Sequence, residues 1–520
     1  MKKTTRYKVG NKTVEREINY IPVRYIFAIT ITIFEVLAII GVVVALCYFV
    51  PYFYIAAYAT EILCVLNIVA SDDNPDYKVP WLLFVLILPV VGFMLYFIFY
   101  SRKLQRKFIR RLKSLHAHRY KREDADVFVA LQADSAEIAQ DARMLCRIGH
   151  THLYTDTRQQ YFPSGEDMHR QMLLDLESAK SFIFLEYFII EEGKFWGSIL
   201  DILKKKAANG VEIRVVYDDI GCMSTLPGNY ARILHSYGIA ATPFSRLRGN
   251  ADSEFNNRSH RKILVIDGVI GYTGGVNLAD EYINEKKRFG HWKDTGIRLE
   301  GEAVHELTQL FLSDYGINVK EFIPPRAEHF PACRVSESGY VIPFGDGPRP
   351  LYDRRVSKSA IQNMLARAVR RAWITTPYLI IDNDLCTALE NAALRGVDVR
   401  IILPHIPDKK MVFAMTRSFY PRLMTAGVKI FEYEPGFIHA KSYLVDDDLA
   451  MIGTVNLDYR SLVHHFENGV WLYRCACIEP LKKDMEETFS KCIAIDQGSI
   501  KIGPLQRIFR SVIRIFAPLM

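Results

Sequence analysis

The sequence lacks a cysteine framework. Its nine cysteines are an odd number, follow no regular spacing and include Cys47 and Cys64 inside apolar stretches, which excludes a disulfide-stapled scaffold. Cys475 and Cys477 alternate on an expected strand without the two further ligands that a zinc site needs. They read as small buried side chains, and no metal is expected. A large excess of one charge is also missing: the formal net charge is +8 over 520 residues, and the basic residues cluster beside apolar segments. Clusters in that position meet anionic lipid headgroups more readily than nucleic acid. A cleavable signal peptide is excluded too, because the first apolar stretch is too long for a signal core and two more follow it.

What is present begins with those three stretches, Tyr25 to Tyr48, Tyr52 to Ala70 and Pro80 to Tyr100, each close to the ~20 residues that cross a bilayer as a helix. The third carries Trp81 at one end and Tyr96 and Tyr100 at the other, with Arg102, Lys103, Arg106 and Lys107 beyond, as interfacial anchors do. It reads as the most secure span, kinked at Pro89 and Gly92. Basic residues precede the first stretch and follow the third, so both flanks favour the cytoplasm. One stretch is therefore expected to be re-entrant, and the middle one, interrupted by Glu61 and Asn67, is the suspect. The run from Arg102 to Arg122 reads as a headgroup-facing collar. Ile500 to Met520 reads as a basic amphipathic helix on a membrane, or as a helix docked on the core.

Past the collar the chain repeats itself. The apolar run Phe182 to Ile190, a helical stretch, and Gly210-Val211-Glu212-Ile213-Arg214 are matched by Trp373 to Ile381, a helical stretch, and Gly396-Val397-Asp398-Val399-Arg400. Each is a strand, a helix and a strand, with a glycine at the helix C-cap, the pattern of a parallel crossover unit. Two α/β halves follow, joined by a proline-rich linker.

Each half ends in His-x-Lys-x4-Asp-x6-Gly-x-x-Asn. The first copy is His260, Lys262, Asp267, Gly274 and Asn277, and the second is His439, Lys441, Asp446, Gly453 and Asn456. A lone His-x-Lys means nothing, but recurrence at every specified position in two otherwise different segments does. On a strand, residues two apart share a face, so each His lies beside its Lys. Asp267 and Asp446 complete the catalytic constellation by pattern, yet their odd separation from the His and their place at a turn read as structural. Two imidazoles flanking a phosphodiester supply a nucleophile and a general acid. Lys262, Lys441, Asn277 and Asn456 supply charge and donors for the phosphoryl oxygens, without metal or cofactor. A carboxylate downstream of each Asn, Asp294 or Glu467, either fixes a histidine tautomer or is a strand-end acid in a surface pair.

At these residues the chain resembles the phospholipase D superfamily, and its surroundings resemble bacterial cardiolipin synthases. Asn74-Pro75-x-x-Lys78-x-x-Trp81-Leu82, Leu88-Pro89-x-x-Gly92, Leu185-Glu186-Tyr187, Tyr217-Asp218-Asp219-Ile220-Gly221, Gly274-Gly275-Val276-Asn277 and Pro518-Leu519 are similar to that family's landmarks. The resemblance implies two pseudo-symmetric phospholipase D-type α/β domains with mixed sheets behind a helical transmembrane region. It implies condensation of two phosphatidylglycerol molecules into cardiolipin and glycerol, with His260 forming a phosphatidyl-enzyme and His439 protonating the leaving group. It further implies that an acid orients each histidine, Asp294 with His260 and Glu467 with His439. Three features depart from the family pattern: Thr454 in place of serine, His465 in place of asparagine, and the additional apolar stretch.

The expected organisation is a basic tail over 1–24, a transmembrane region over 25–100, a basic juxtamembrane segment over 101–135 and a first domain over 136–321. A linker over 322–358, a second domain over 359–499 and an amphipathic segment over 500–520 follow. Expected partners are phosphatidylglycerol, other anionic phospholipids and the membrane, with no nucleic acid and no obligatory protein partner. The expected location is the bacterial plasma membrane, multi-pass, with the catalytic region cytoplasmic. A hydrolytic phospholipase D, a membrane-anchored nuclease and an inactive scaffold are the alternatives.

Overall fold

The computed structural model describes residues 2–9, 12–19, 23–49, 52–97, 120–246, 257–319, 325–349, 351–496, 513–515 and 517. The basic run up to residue 119 and most of the amphipathic segment lie outside them. The N-terminal tail forms two antiparallel strands, Lys2–Val9 and Lys12–Asn19. Four helices follow: α1 (Val23–Phe49), α2 (Phe53–Ala70), α3 (Pro75–Ile87) and α4 (Pro89–Leu95).

Among the described residues, α2 is the helix long and apolar enough to cross a membrane. Its outer face exposes Ile55, Tyr58, Ile62, Leu63 and Leu66, whereas Ala57, Glu61, Cys64 and Ile68 are buried. An apolar exterior with the acid turned inward inverts the pattern of a soluble helix. Within this stretch Glu61 is buried and Asn67 Oδ1 accepts the Tyr96 hydroxyl at 3.1 Å.

The third stretch is the one that doubles back. Trp81 and Tyr96 have ring centroids 6.0 Å apart, whereas a straight helix would separate them by roughly 22 Å. Pro89 removes a backbone donor, Leu88 before it leaves helical geometry at φ −119° and ψ 73°, and Gly92, lacking a Cβ, lies directly against the Phe84 carbonyl. Lys78 Nζ closes the hairpin onto α2 by donating to the Val69 carbonyl at 3.0 Å and to that of Ser71. Asn74 caps α3 and reaches Asp382 and Asp384, while Asp76 Oδ2 accepts the Asn383 N–H at 2.7 Å. The apolar hairpin is therefore bonded to the loop that opens the second lobe's helix Asn383–Leu394.

The two lobes have the same sheet topology. In the first, Gly296–Glu300, Ile270–Gly274, Lys262–Ile266, Phe182–Tyr187, Glu212–Asp218 and Ala240–Phe244 lie side by side, antiparallel until the last two pairings, which are parallel. In the second, Glu467–Tyr473, Leu449–Gly453, Ser442–Val445, Arg371–Thr375, Asp398–Pro404 and Lys429–Tyr433 repeat that order and polarity. Gly210 and Gly396 take φ of 86° and 90° at the helix ends, a conformation that glycine adopts without strain. Two expectations need correction. Tyr340–Asp346, inside the proposed linker, is the outer strand of the second sheet, an edge position that tolerates Pro343, and its outer side is bridged at Val341 by Tyr154. Helix Ala136–Gly149, assigned to the first domain, packs with the second lobe's Val356 and Phe344.

Candidate active site

Each His-x-Lys opens an inner strand of its sheet. Lys262 and Lys441 are wholly buried. Lys262 Nζ donates to the His260 carbonyl at 2.6 Å, and Lys441 Nζ donates to that of His439. Each ammonium keeps further N–H donors free of these bonds.

Asp267 and Asp446 sit at the opposite end of these strands, roughly 16 Å from the lysines by strand rise. Asp267 accepts the N–H groups of Lys180, Ser181 and Phe182 at 2.8, 2.7 and 2.8 Å. Asp446 does the same for Val369, Arg370 and Arg371 at 3.1, 2.7 and 3.1 Å. Both have φ near the left-handed region, 53° and 52°, which short polar residues tolerate. Their place in the catalytic set is corrected: they tie off turns.

The acids are exchanged between lobes. Segment Gly436–Ile438 pairs in parallel with His291–Lys293, and Ser259 bridges Phe466 in parallel. The His439 N–H donates to the Lys293 carbonyl at 2.7 Å and the His260 N–H to that of Phe466 at 2.9 Å. Each histidine is thereby carried next to the acid that ends the other lobe's segment. His260 Nδ1 lies 2.9 and 3.0 Å from the Glu467 oxygens, and His439 Nδ1 lies 2.7 Å from Asp294 Oδ2. The pairing implied by the family resemblance, Asp294 with His260 and Glu467 with His439, is reversed. With both Nδ1 atoms engaged, Nε2 is the free nitrogen of each ring.

Electrostatics distinguish the two dyads. Burial, then Lys262, Lys441 and His439, hold His260 well below the ordinary imidazole range. His439 is lowered to about 4 by burial and Lys441, against the pull of Asp294. Burial would raise Asp294, but His439, Lys441 and the Thr295 N–H outweigh it and hold the carboxyl low. Glu467 is pushed up to about 7 by burial, although Lys262 and hydroxyls from Ser461 and Thr454 oppose this. Both rings are therefore neutral near pH 7 in the free protein, and the ionised Asp294 makes His439 the ring that a bound anion can bring to protonation.

The asparagines are not equivalent. Asn277 accepts the Ile189 N–H at 3.1 Å and donates one amide hydrogen to the Tyr282 hydroxyl at 2.7 Å, which leaves its second amide hydrogen uncommitted by these bonds. Asn456 retains a buried Oδ1 with no hydrogen-bond partner.

Several contributors carried no readable spacing. Phe188 lies edge-on to His260 at 5.2 Å, and Tyr282 and Trp292 each lie 5.5 Å from His439. Arg258 holds Asp218 with three contacts of 2.9 to 3.1 Å, and Asp218 also accepts the Ser259 N–H at 3.1 Å. The Ser259 hydroxyl donates to Glu186. The landmark acids Glu186 and Asp218 therefore hold the segment before His260, and breaking one partner of such a buried pair costs about 3–5 kcal/mol.

The domain family described as "Cardiolipin synthase, PLD-like domain" matches residues 172–314 and 361–492, the two lobes that carry these dyads. The chain belongs to this cardiolipin synthase family of phospholipase D-like proteins. A "Phospholipase_D-nuclease N-terminal" family matches residues 62–99, the end of α2 with the α3–α4 hairpin. A cardiolipin synthase of Geobacillus kaustophilus is 35% identical over 88% of this chain and 92% of its own length. Cardiolipin synthase 2 of Bacillus cereus is 35% identical over 86% of this chain and 88% of its own. The crystal structure of a phosphatidylserine synthase from Haemophilus influenzae shares the fold, with a TM-score of 0.56, 14% identity and coverage of 73% of this chain and 98% of that one.

Within this family geometry one glycine is tightly confined. A Cβ on Gly275 would overlap Asp294 Oδ1 and lie 2.9 Å from the His439 carbonyl. Its counterpart in the second lobe, Thr454, instead donates its hydroxyl to Glu467. Gly275→Ala is expected to displace Asp294 and lower kcat at least ~100-fold, the low end for a general acid put out of place. A lipid transfer assay with circular dichroism checks this, and an active Gly275→Ala protein would show that the close approach has no role.

Proposed function

We propose that the chain is a membrane-anchored phosphatidyltransferase that joins two phosphatidylglycerol molecules into cardiolipin and glycerol. The observation that carries this reading is the pair of exchanged dyads, one imidazole per lobe with its Nε2 free, together with two buried lysines. In the first step His260 Nε2 attacks phosphorus, the bond from phosphorus to the glycerol oxygen breaks, and protonated His439 gives its proton to that oxygen. In the second step neutral His439 takes the proton of the acceptor's primary hydroxyl, whose oxygen displaces His260. Lys262 and Lys441 stabilise charge on the non-bridging oxygens, and no metal takes part. The difference between the dyads supports this division: a nucleophile must be neutral, and an acid must accept a proton when an anionic phosphodiester arrives. Asn456 Oδ1 suits a glycerol hydroxyl. The exposed apolar face of α2 supports anchoring, and the doubled-back α3–α4 segment supports a hairpin that keeps the lobes on one side, the cytoplasmic one. The substrate is then reached from the bilayer that holds it.

The test is purified protein in neutral detergent with phosphatidylglycerol as sole lipid. Cardiolipin and glycerol are expected in equal amounts. Phosphatidic acid as the main product would make the enzyme a hydrolase, and lipid-independent cleavage of oligonucleotides would make it a nuclease.

The lysines set a pH dependence. Burial lowers Lys262 to about 7 and Lys441 to about 8. Each ammonium is present below its pKa and lost as pH rises through it, so kcat/KM for the free enzyme is expected to fall on the alkaline side of neutrality. Bound phosphodiester favours the protonated lysines, so the limb for kcat lies at higher pH. Coincident limbs, or a kcat/KM flat from neutral to strongly alkaline pH, would contradict the lysine roles.

A further inference from the structure

We infer that His465, His260 and Glu467 form an inhibitory site for a zinc-type divalent transition-metal ion, an inference that rests on His260 being the nucleophile. One ligand atom from each of these buried residues lies within 4.8 Å of the others. Glu467 Oε1 is 2.9 Å from His260 Nδ1 and 3.8 Å from His465 Nδ1. The rings of His260 and His465 are 5.6 Å apart. His465 Nδ1 is buried and has no hydrogen-bond partner, so the reaction leaves an imidazole nitrogen beside the dyad unused.

Two imidazoles and a carboxylate are a zinc ligand set with the fourth position open, and tetrahedral bonds of ~2.0–2.2 Å, which hold ligand atoms ~3.3–3.6 Å apart, require the His465 ring to close on Glu467 by only a few tenths of an ångström. The hydroxyls of Thr454 and Ser461 on Glu467 supply the outer contacts that orient a ligating carboxylate. Lys262 and Lys441 oppose a dication, which makes the site weaker than a structural zinc site and readily reversed. Inhibition follows from tautomer chemistry. The ion takes the Nδ1 lone pair of His260, and the single ring proton moves from Nδ1 to Nε2. The Nε2 lone pair that attacks phosphorus is then gone.

The probes are zinc chloride for inhibition and cobalt(II) chloride for direct binding, with full-length protein in neutral detergent. Each protein's rate is normalised to its own rate in chelator. Zinc should inhibit, chelator should restore the rate, and cobalt should give the visible absorption of a four-coordinate site. His465→Asn should raise the half-inhibitory zinc concentration at least ~10-fold, since even an outer-shell loss costs that much affinity, and should abolish the cobalt band. Absence of both zinc inhibition and a cobalt band, or inhibition and a cobalt band unchanged in His465→Asn, would overturn the site. The latter outcome would place the ion elsewhere, for instance at Glu212, Glu328 and His329. The cobalt band reads the site without turnover: a band lost in His465→Asn with no zinc inhibition of wild type would overturn the nucleophile reading and not the ligand set.

Discussion

His260→Ala is expected to lose all phosphatidyl transfer, a fall on the order of 10⁶-fold, the scale seen when the attacking group of a covalent mechanism is removed. No other described side chain holds an imidazole on Glu467 with Nε2 free: His465 Nδ1 is 3.8 Å away and makes no hydrogen bond. The loss should appear in kcat. Phosphatidylglycerol exchange with labelled glycerol should vanish with it, since both need the histidine-bound intermediate. Residual exchange in His260→Ala would show that phosphorus is transferred without this ring. The fold should survive the change, because the segment is held by Arg258, Asp218, Glu186 and backbone bonds to Phe466 and not by the imidazole.

His439→Ala should behave differently. A displaced proton-transfer group costs about 10²- to 10⁴-fold, so slow turnover should persist. A donor with a good leaving group, such as a p-nitrophenyl phosphodiester of the same lipid, does not need protonation. With that donor the first step should recover most of its rate in His439→Ala, while transfer to an acceptor hydroxyl stays slow. Equal loss with good and poor leaving groups would remove His439 from proton transfer. Asp294→Asn should follow His439→Ala in direction, since its carboxyl is the one bonded to that ring at 2.7 Å. The reversed pairing makes this a discriminating result, because the resemblance alone assigned Asp294 to His260.

That reversal marks where sequence reading ended. The two His-x-Lys pairs were legible because spacing repeated in two segments records a duplicated strand, and alternation along a strand fixes which residues share a face. Asp267 and Asp446 were legible as turn residues for the same reason. Partner choice was not, because the contacts span 207 and 145 residues and depend on parallel pairing between lobes. No local pattern encodes which of two equivalent carboxyls a ring will meet. Phe188, Tyr282 and Trp292 arrive from a loop, a 3-10 turn over Asp280–Ile283 and the strand His291–Lys293, with no shared spacing. In the apolar N-terminal region hydropathy marks the stretches but not the reversal inside the third. Glu61 and Asn67 look disruptive, yet Glu61 turns inward and Asn67 accepts the Tyr96 hydroxyl, whereas Pro89 followed by Gly92 permits a reversal that hydropathy averages away. The Pro-Gly pair was the available signal, and it was read only as a kink.

The measurement that bears most directly on this mechanism is mass spectrometry of the His439→Ala protein, quenched at high pH during turnover of the p-nitrophenyl phosphodiester donor and digested. Phosphoramidate bonds survive alkali, so the slowed second step should leave a phosphatidyl group on the peptide containing His260. A phosphatidyl group on any other residue, or turnover without an adduct, would contradict two lobes closing one histidine each around a single lipid phosphorus.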